Sequence, residues 1–194
     1  MATLKEILDT RADVEKRFIK DYKKLSDIVE GSKAMGFKVV LTQGVYDLLH
    51  EGHALYLEKA REHGDLLIVG VDSDELTRQR KGPDRPIVPL EERMKMLAHL
   101  RHVDIITVRN EGDGIGDLIR AVKPNVLVVS KSTKDFTKKM KEEYKDVCDR
   151  IVDLPPQATT STTARIRQVA IEGANQLAKE VKALTDDFIK RFKL

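Results

Sequence analysis

Cysteine is almost missing from this chain. Cys148 is the single one in 194 residues, which excludes an internal disulfide and any zinc site built on cysteines. Long apolar runs are missing too. No stretch approaches the roughly 18–20 apolar residues that cross a bilayer. Met1-Ala2-Thr3-Leu4-Lys5-Glu6 carries mixed charge where a secretory leader is apolar. A soluble, cytoplasmic protein is therefore the expectation. Nor does one sign of charge dominate: 35 basic against 32 acidic residues leave a net +3, which argues against a dedicated nucleic-acid binder. There is no G-x-x-x-x-G-K-[ST] stretch, no internal repeat and no low-complexity segment, so P-loop chemistry and repeat architectures are excluded.

What is present is 41% apolar residues, enough for one good core. They fall in short runs that alternate with helical patterns. Residues 37–42 read as a strand, followed by the loop Gln43-Gly44-Val45-Tyr46-Asp47. His50-Glu51-Gly52-His53 then opens a helix that closes at Gly64, and 66–71 form a second strand. This is a βαβ unit, and a parallel sheet places its ligand where a strand ends and a helix begins. Lys81-Gly82-Pro83-Asp84-Arg85-Pro86 reads as a loop because it holds two prolines and a glycine. Further strands are expected at 103–108, 126–130 and 151–154, with helices near 90–100, 118–122 and 135–147. Residues 3–33 read as helical, a helical run starts at 164, and an amphipathic helix lies beyond Gly173. The fold class is α/β: a Rossmann-like three-layer sandwich with a mainly parallel sheet. Helical extensions at 1–36 and 171–194 flank the domain at 37–170. They suit packing onto the domain or a homodimer contact better than a site.

His50 and His53 lie three apart, on one face of a helix start, near the positive end of its dipole. Imidazoles there can donate hydrogen bonds to a polyphosphate and hold charge that grows in a transition state. Gly52 removes a side chain between them, so a phosphate can approach the backbone. A metal site from this pair plus His63 requires three ligands to converge along one short helix, which is unfavourable. Ser161, Thr162 and Thr163 make a hydroxyl-rich helix start, suited both to capping and to cradling phosphate. Lys131, Lys134, Lys138, Lys139 and Lys141 are interleaved with Glu142, Glu143 and Asp146, the pattern of a solvated helical face, with contact to an anionic substrate as the alternative. Gly112-Asp113-Gly114-Ile115-Gly116 is one place short of the G-x-G-x-x-G fingerprint, with Asp117 where the last glycine is needed, so NAD binding is set aside.

The stretch from Gly44 to His53 resembles the signature G-[TV]-[FY]-D-x-x-H-x-G-H of the cytidylyltransferase-like nucleotidyltransferases. Val69-Gly70-Val71-Asp72-Ser73-Asp74 resembles the family's second strand and its acidic end. Lys81-Gly82-Pro83-Asp84-Arg85-Pro86-Ile87 with Glu91-Glu92-Arg93-Met94 resembles its lysine loop and following helix. Ser161-Thr162-Thr163-Ala164-Arg165-Ile166 resembles its closing element. The likeness spans about residues 37–170. The K-G-x-x-R-P-[IV] stretch is most similar to the adenylyltransferase domain for heptose 1-phosphate, with the glycerol-3-phosphate and ethanolamine-phosphate cytidylyltransferases next.

The resemblance implies transfer of a nucleoside monophosphate from ATP or CTP to a small phosphorylated acceptor, with pyrophosphate leaving and no covalent enzyme intermediate. It implies that His50, His53 and Lys81 are catalytic, and that Gly44, Val45, Tyr46, Asp47, Gly52, Arg93, Ser161, Thr162 and Thr163 bind the nucleotide. Asp47 would fix its loop rather than act as a base. Magnesium would arrive with the triphosphate, with no metal held by the protein alone. Lys131 and Asp135 fall where the family recognises base and acceptor. There Ser130-Lys131-Ser132-Thr133-Lys134-Asp135-Phe136 replaces the usual K-G-G-D-[YW], and no arginine stands at Pro156-Gln157-Ala158-Thr159. A cytidylyltransferase for a polyol or amino-alcohol phosphate or phosphonate, and a non-catalytic nucleotide-binding module, are the competing readings. An adenylyltransferase of cofactor assembly is disfavoured by the 5% aromatic content.

Overall fold

The computed structural model describes residues 14–114, 116–131, 138–158 and 162–192. Among these, five strands form one parallel sheet: β1 (Val39–Gly44), β2 (Leu66–Asp72), β3 (Ile105–Arg109), β4 (Val126–Ser130) and β5 (Arg150–Leu154). Their order is β3-β2-β1-β4-β5. The helices are α1 (Tyr22–Ala34), α2 (Glu51–Arg61), α3 (Asp74–Lys81), α4 (Leu90–Ala98), α5 (Asp117–Val122), α6 (Lys138–Glu143) and α7 (Thr162–Phe192). The chain divides after Thr159 into two compact units, and α7 belongs to the second.

Strands β1 to β4 are largely apolar on both sides because both faces are covered, as parallel sheets require, whereas the edge strand β5 leaves Arg150 and Asp153 exposed. Alternation sends Val39, Leu41, Leu66, Ile68, Ile105 and Leu127 to a face packed by Leu25 and Val29 of α1 and Leu118, Ile119 and Val122 of α5. It sends Val40, Leu67, Val69, Val71, Ile106, Val126 and Val128 to the other, against Leu57 and Ala60 of α2 and Met94 and Leu97 of α4. Truncating one of the buried leucines or isoleucines among them to alanine costs about 2–5 kcal/mol.

Three details differ from the sequence expectation. The N-terminal segment is not one helix over its described part. A 3₁₀ turn (Val14–Arg17) gives way to Phe18, which bridges Ile106, and the Ile19 N–H donates to the Ile106 carbonyl at 2.9 Å before α1 begins. Asp21 caps α1 by accepting from the Lys24 N–H, at 2.8 Å, which favours a new helix start there. Lys81 is not in a loop: it is the last residue of α3, whose start is capped by Ser73 and whose end is turned by Gly82 at φ 101°. Finally, α7 passes through Gly173 without a break, since one glycine costs only about 1 kcal/mol in a helix of good formers. Described by itself, α7 exposes Val169, Leu177, Val181, Leu184 and Phe188.

Candidate active site

The order of the sheet reverses beside β1, and there two neighbours part company. β1 pairs with β4 only through Val40, Leu41 and Thr42. Its last residues, Gln43 and Gly44, pair with β2, while Val129 and Ser130 of β4 pair with β5. A wedge therefore opens at the carboxyl ends of β1 and β4, the switch point at which open α/β sheets bind ligands. Tyr56 of α2 closes its floor. Its hydroxyl hydrogen-bonds Thr42 Oγ1 at 2.8 Å and donates to the Val128 carbonyl at 3.3 Å, and burial pushes its pKa up to about 12.

The loop after β1 delivers the histidines. Tyr46 and Leu48 both take left-handed backbone, φ 54° and 46°; such conformations are strained for side-chain-bearing residues and collect at functional loops. The turn folds the Tyr46 ring into the core, edge-on to His53 with ring centroids 5.6 Å apart. His50 is the N-cap of α2 and accepts the Gly52 N–H at Nδ1, 3.1 Å. That bond makes Nδ1 the acceptor and leaves Nε2 as the nitrogen that carries the proton in the neutral ring. His53 stacks on His50, ring centroids 4.0 Å apart. Burial, then the neighbouring His50, lowers the His53 pKa to about 4, against a smaller opposing pull from Asp47. His53 is thus neutral at physiological pH, a hydrogen-bond donor and acceptor rather than a cation. Its Nδ1 is buried and has no hydrogen-bond partner among the described residues, a condition native proteins rarely leave without a reason.

Gly52 is needed for space. A Cβ there would stand 3.0 Å from the His50 ring and 3.2 Å from Cβ of Ala158. Ala158, beyond β5, therefore lies directly against the turn of the histidine pair. Thr162 and Thr163 follow in the second unit, at the start of α7. Ser161 and Asp135 lie outside the described residues. Lys131 is exposed, and its N–H donates to the Leu154 carbonyl at 2.9 Å. Lys81 is exposed at the end of α3.

Asp47 is almost fully buried. It accepts the N–H groups of Ile87 (3.0 Å) and Val88 (2.9 Å), and Arg85 Nε lies 2.9 Å from Oδ2. It thus fixes two loops to each other, not only its own. Arg93, which the resemblance gives a part in nucleotide binding, is engaged by the protein's own groups. Its side chain is 1% exposed, and it donates to the carbonyls of Val88 and Val45 and to Asp74. It reaches the site only through the Val45 carbonyl.

A second set of polar residues stands at the same edge of the sheet, of which the sequence marked only Asp72, as the acidic end of a strand, and gave no partner for it. Asp72, at the end of β2, is fully buried and pairs with Arg109, the residue opposite it at the end of β3, at 2.9 and 2.7 Å. Arg80 donates to its other oxygen, and Arg109 donates to Gln43 Oε1 at 2.9 Å. The available signal was two apolar strands that each end on a charged residue of opposite sign. Asp47, Asp72 and Asp74 are all engaged by arginines.

A parallel sheet split at its switch point, with a stacked imidazole pair at the helix start beside the split, defines an α/β protein built to handle nucleotides. The chain belongs to the cytidylyltransferase-like family, a family of nucleotidyltransferases, which it matches over residues 41–172. It is 36% identical over 168 residues to the "Bifunctional protein HldE" of Desulfatibacillum aliphaticivorans, covering 87% of this chain and 34% of that one. Against the protein of the same name from Nitratiruptor it is 38% identical over 171 residues, 86% of this chain and 36% of that one. It spans about a third of the length of these curated relatives. The crystal structure of the lipopolysaccharide core biosynthesis protein from Thermoplasma volcanium superposes with a TM-score of 0.55 at 28% identity, over 63% of this chain and all of that one. Pantoate-beta-alanine ligase from Francisella tularensis, at 20% identity and a TM-score of 0.54, shares the fold over 73% of this chain and 67% of its own.

Proposed function

We propose that this chain transfers a nucleoside monophosphate from ATP or CTP to a small phosphorylated acceptor, with a sugar phosphate such as heptose 1-phosphate as the preferred case, in carbohydrate metabolism of the cytoplasm. An acceptor phosphate oxygen attacks the α-phosphorus in line, the bond from that phosphorus to its bridging oxygen breaks, and pyrophosphate leaves with the electron pair. The observation that carries this reading is the stacked His50–His53 pair at the split between β1 and β4, with His53 held neutral and its buried Nδ1 lacking a partner among the described residues. Neutral imidazole N–H groups donate to phosphate oxygens, and their contribution grows as charge builds on the leaving pyrophosphate. The backbone N–H groups at the start of α2 add to this.

The family resemblance assigns Lys81 to the triphosphate, and it also gives Ser161, Thr162 and Thr163 a part in nucleotide binding. Mg2+ enters as part of the substrate, bound to the nucleotide, which agrees with a site whose carboxylates are committed to arginines. The sugar assignment is supported by the resemblance of the K-G-x-x-R-P-[IV] stretch at Lys81–Ile87 and by the likeness to a lipopolysaccharide core biosynthesis protein, and homodimerisation through the terminal helices belongs to the same proposal. A pyrophosphate-release screen tests it, crossing ATP and CTP with heptose 1-phosphate, other sugar phosphates, polyol phosphates, phosphoethanolamine and phosphonates. Release with one acceptor class is expected. Nucleotide binding without release across the whole panel would replace this reading by a non-catalytic nucleotide-binding module.

A further inference from the structure

The cation that the fold brings against the histidine loop is not the one the sequence singles out. Gly82 ends α3 at φ 101°, and the Arg85 N–H donates back to the Gly82 carbonyl at 3.2 Å. The chain then turns, so that Ile87 and Val88 present their N–H groups to Asp47. These bonds fix the backbone two residues beyond Arg85 and fold its side chain over the same carboxylate. Arg85 Nε sits 2.9 Å from Asp47 Oδ2, but out of line for a hydrogen bond, so the contact is an ion pair only. The Arg85 side chain is 20% exposed. Among the described residues its guanidinium has no other partner.

This differs from the other arginines of the same edge. Arg93 donates through Nε, Nη1 and Nη2 to protein acceptors, and Arg109 is locked between Asp72 and Gln43. Nη1 and Nη2 of Arg85, unlike its Nε, are not closed off from solvent, and neither has an acceptor among the described residues, so both are open to a ligand. Those two nitrogens form the planar fork that matches two oxygens of a phosphate. Asp47 lies three residues before His50 and next to Tyr46, which packs on His53, so the fork is anchored to the loop that carries the imidazoles.

We propose that Arg85 is a phosphate-binding residue of this site, with Asp47 as its anchor and Nη1 and Nη2 as the donors to the anion. The inference rests on the nucleotidyl-transfer reading above. The anion is a phosphoryl group, supplied either by the triphosphate or by the acceptor.

Equilibrium binding to the full chain separates the cases. The probes are the α,β-methylene analogues of ATP and CTP with Mg2+, inorganic pyrophosphate and inorganic phosphate, measured on wild type, Arg85→Ala and Arg85→Lys. A loss of about 10- to 100-fold in Arg85→Ala is expected. Loss for the analogues and pyrophosphate assigns Arg85 to the triphosphate, and loss for phosphate alone assigns it to the acceptor. Arg85→Lys keeps the charge beside Asp47 but lacks the fork, so at least about a threefold loss is expected for the same probe. If Arg85→Ala does not fold, that variant decides. Wild-type affinity for all four probes in a folded variant overturns the inference and leaves the transfer reading intact. Failure of the wild type to bind any of them overturns the transfer reading as well.

Discussion

Asp47 and Arg93 fasten the same two stretches of chain together in opposite senses. Asp47, in the loop after β1, accepts the N–H groups of Ile87 and Val88. Arg93, on α4 just beyond those residues, donates to the carbonyls of Val45 and Val88. Neither side chain needs to touch a ligand to matter. Together they hold the loop that carries the histidines and the loop that carries Arg85 as one piece.

Asp47→Ala removes one side of this clasp. It leaves two backbone N–H groups and the Arg85 guanidinium without their carboxylate, a loss of about 3–5 kcal/mol. Urea denaturation measures the total. Native-state hydrogen exchange should show the Ile87 and Val88 amides losing protection well beyond the global change. Unchanged exchange at those two amides would mean that the loops are fixed by something else.

His53→Ala is expected to lower turnover by about 10²–10³ with a much smaller change in KM, because its hydrogen bond strengthens as charge develops. The assay is pyrophosphate release with the acceptor found in the screen. A variant within threefold of wild type would remove the imidazole pair from the mechanism.

The His53 pKa of about 4 also sets an acid dependence. Unfolding exposes the ring and restores a pKa near 6.5, so between those values the unfolded chain binds more protons than the folded one. Stability from this residue is complete above about pH 6.5 and falls as the pH drops towards 4, by at most about 3 kcal/mol. Denaturation midpoints compared at pH 7 and pH 4.5 should therefore differ more in wild type than in His53→Asn. Equal differences in the two proteins would contradict the burial argument.

Gly52→Ala places a methyl group 3.0 Å from the His50 ring. The ring must turn, and its bond to the Gly52 N–H is disturbed. Turnover should fall at least about tenfold, with a melting temperature close to wild type, since alanine is the better helix former. Differential scanning fluorimetry beside the kinetic assay tests both halves.

Asp72→Asn strands Arg109, which is 3% exposed, and loosens Arg80. A loss of about 3–5 kcal/mol is expected from the uncompensated guanidinium. Replacing Arg109 by Met in the same chain should recover part of it. Additive losses would show that the two residues do not act as a pair.

Much of this architecture is legible along the chain. The strand at 126–130 lies where its apolar run places it, and the loop-fixing part of Asp47 came from the family resemblance. The helix α3 escaped notice, although Ser73-Asp74-Glu75 at its start and Arg78, Arg80 and Lys81 at its end are helix signals. The charged, weakly apolar run between them concealed the period. The structural part of Arg93 was not legible, since the carbonyls of Val45 and Val88 reach it only through the packing of two loops.

The sequence by itself determined the βαβ pattern, the parallel sheet and the position of the histidine pair at a helix start. These follow from local periodicity and from backbone rules that act over a few residues. Only the tertiary structure decided which charges face which. Asp47 meets residues forty positions away, and Asp72 meets Arg109 across the sheet, because strand register brings them together. Burial then forces each charge to find a partner. For Arg85 Nη1 and Nη2 no such partner lies among the described residues, and no local pattern in the chain distinguishes that guanidinium from those already committed.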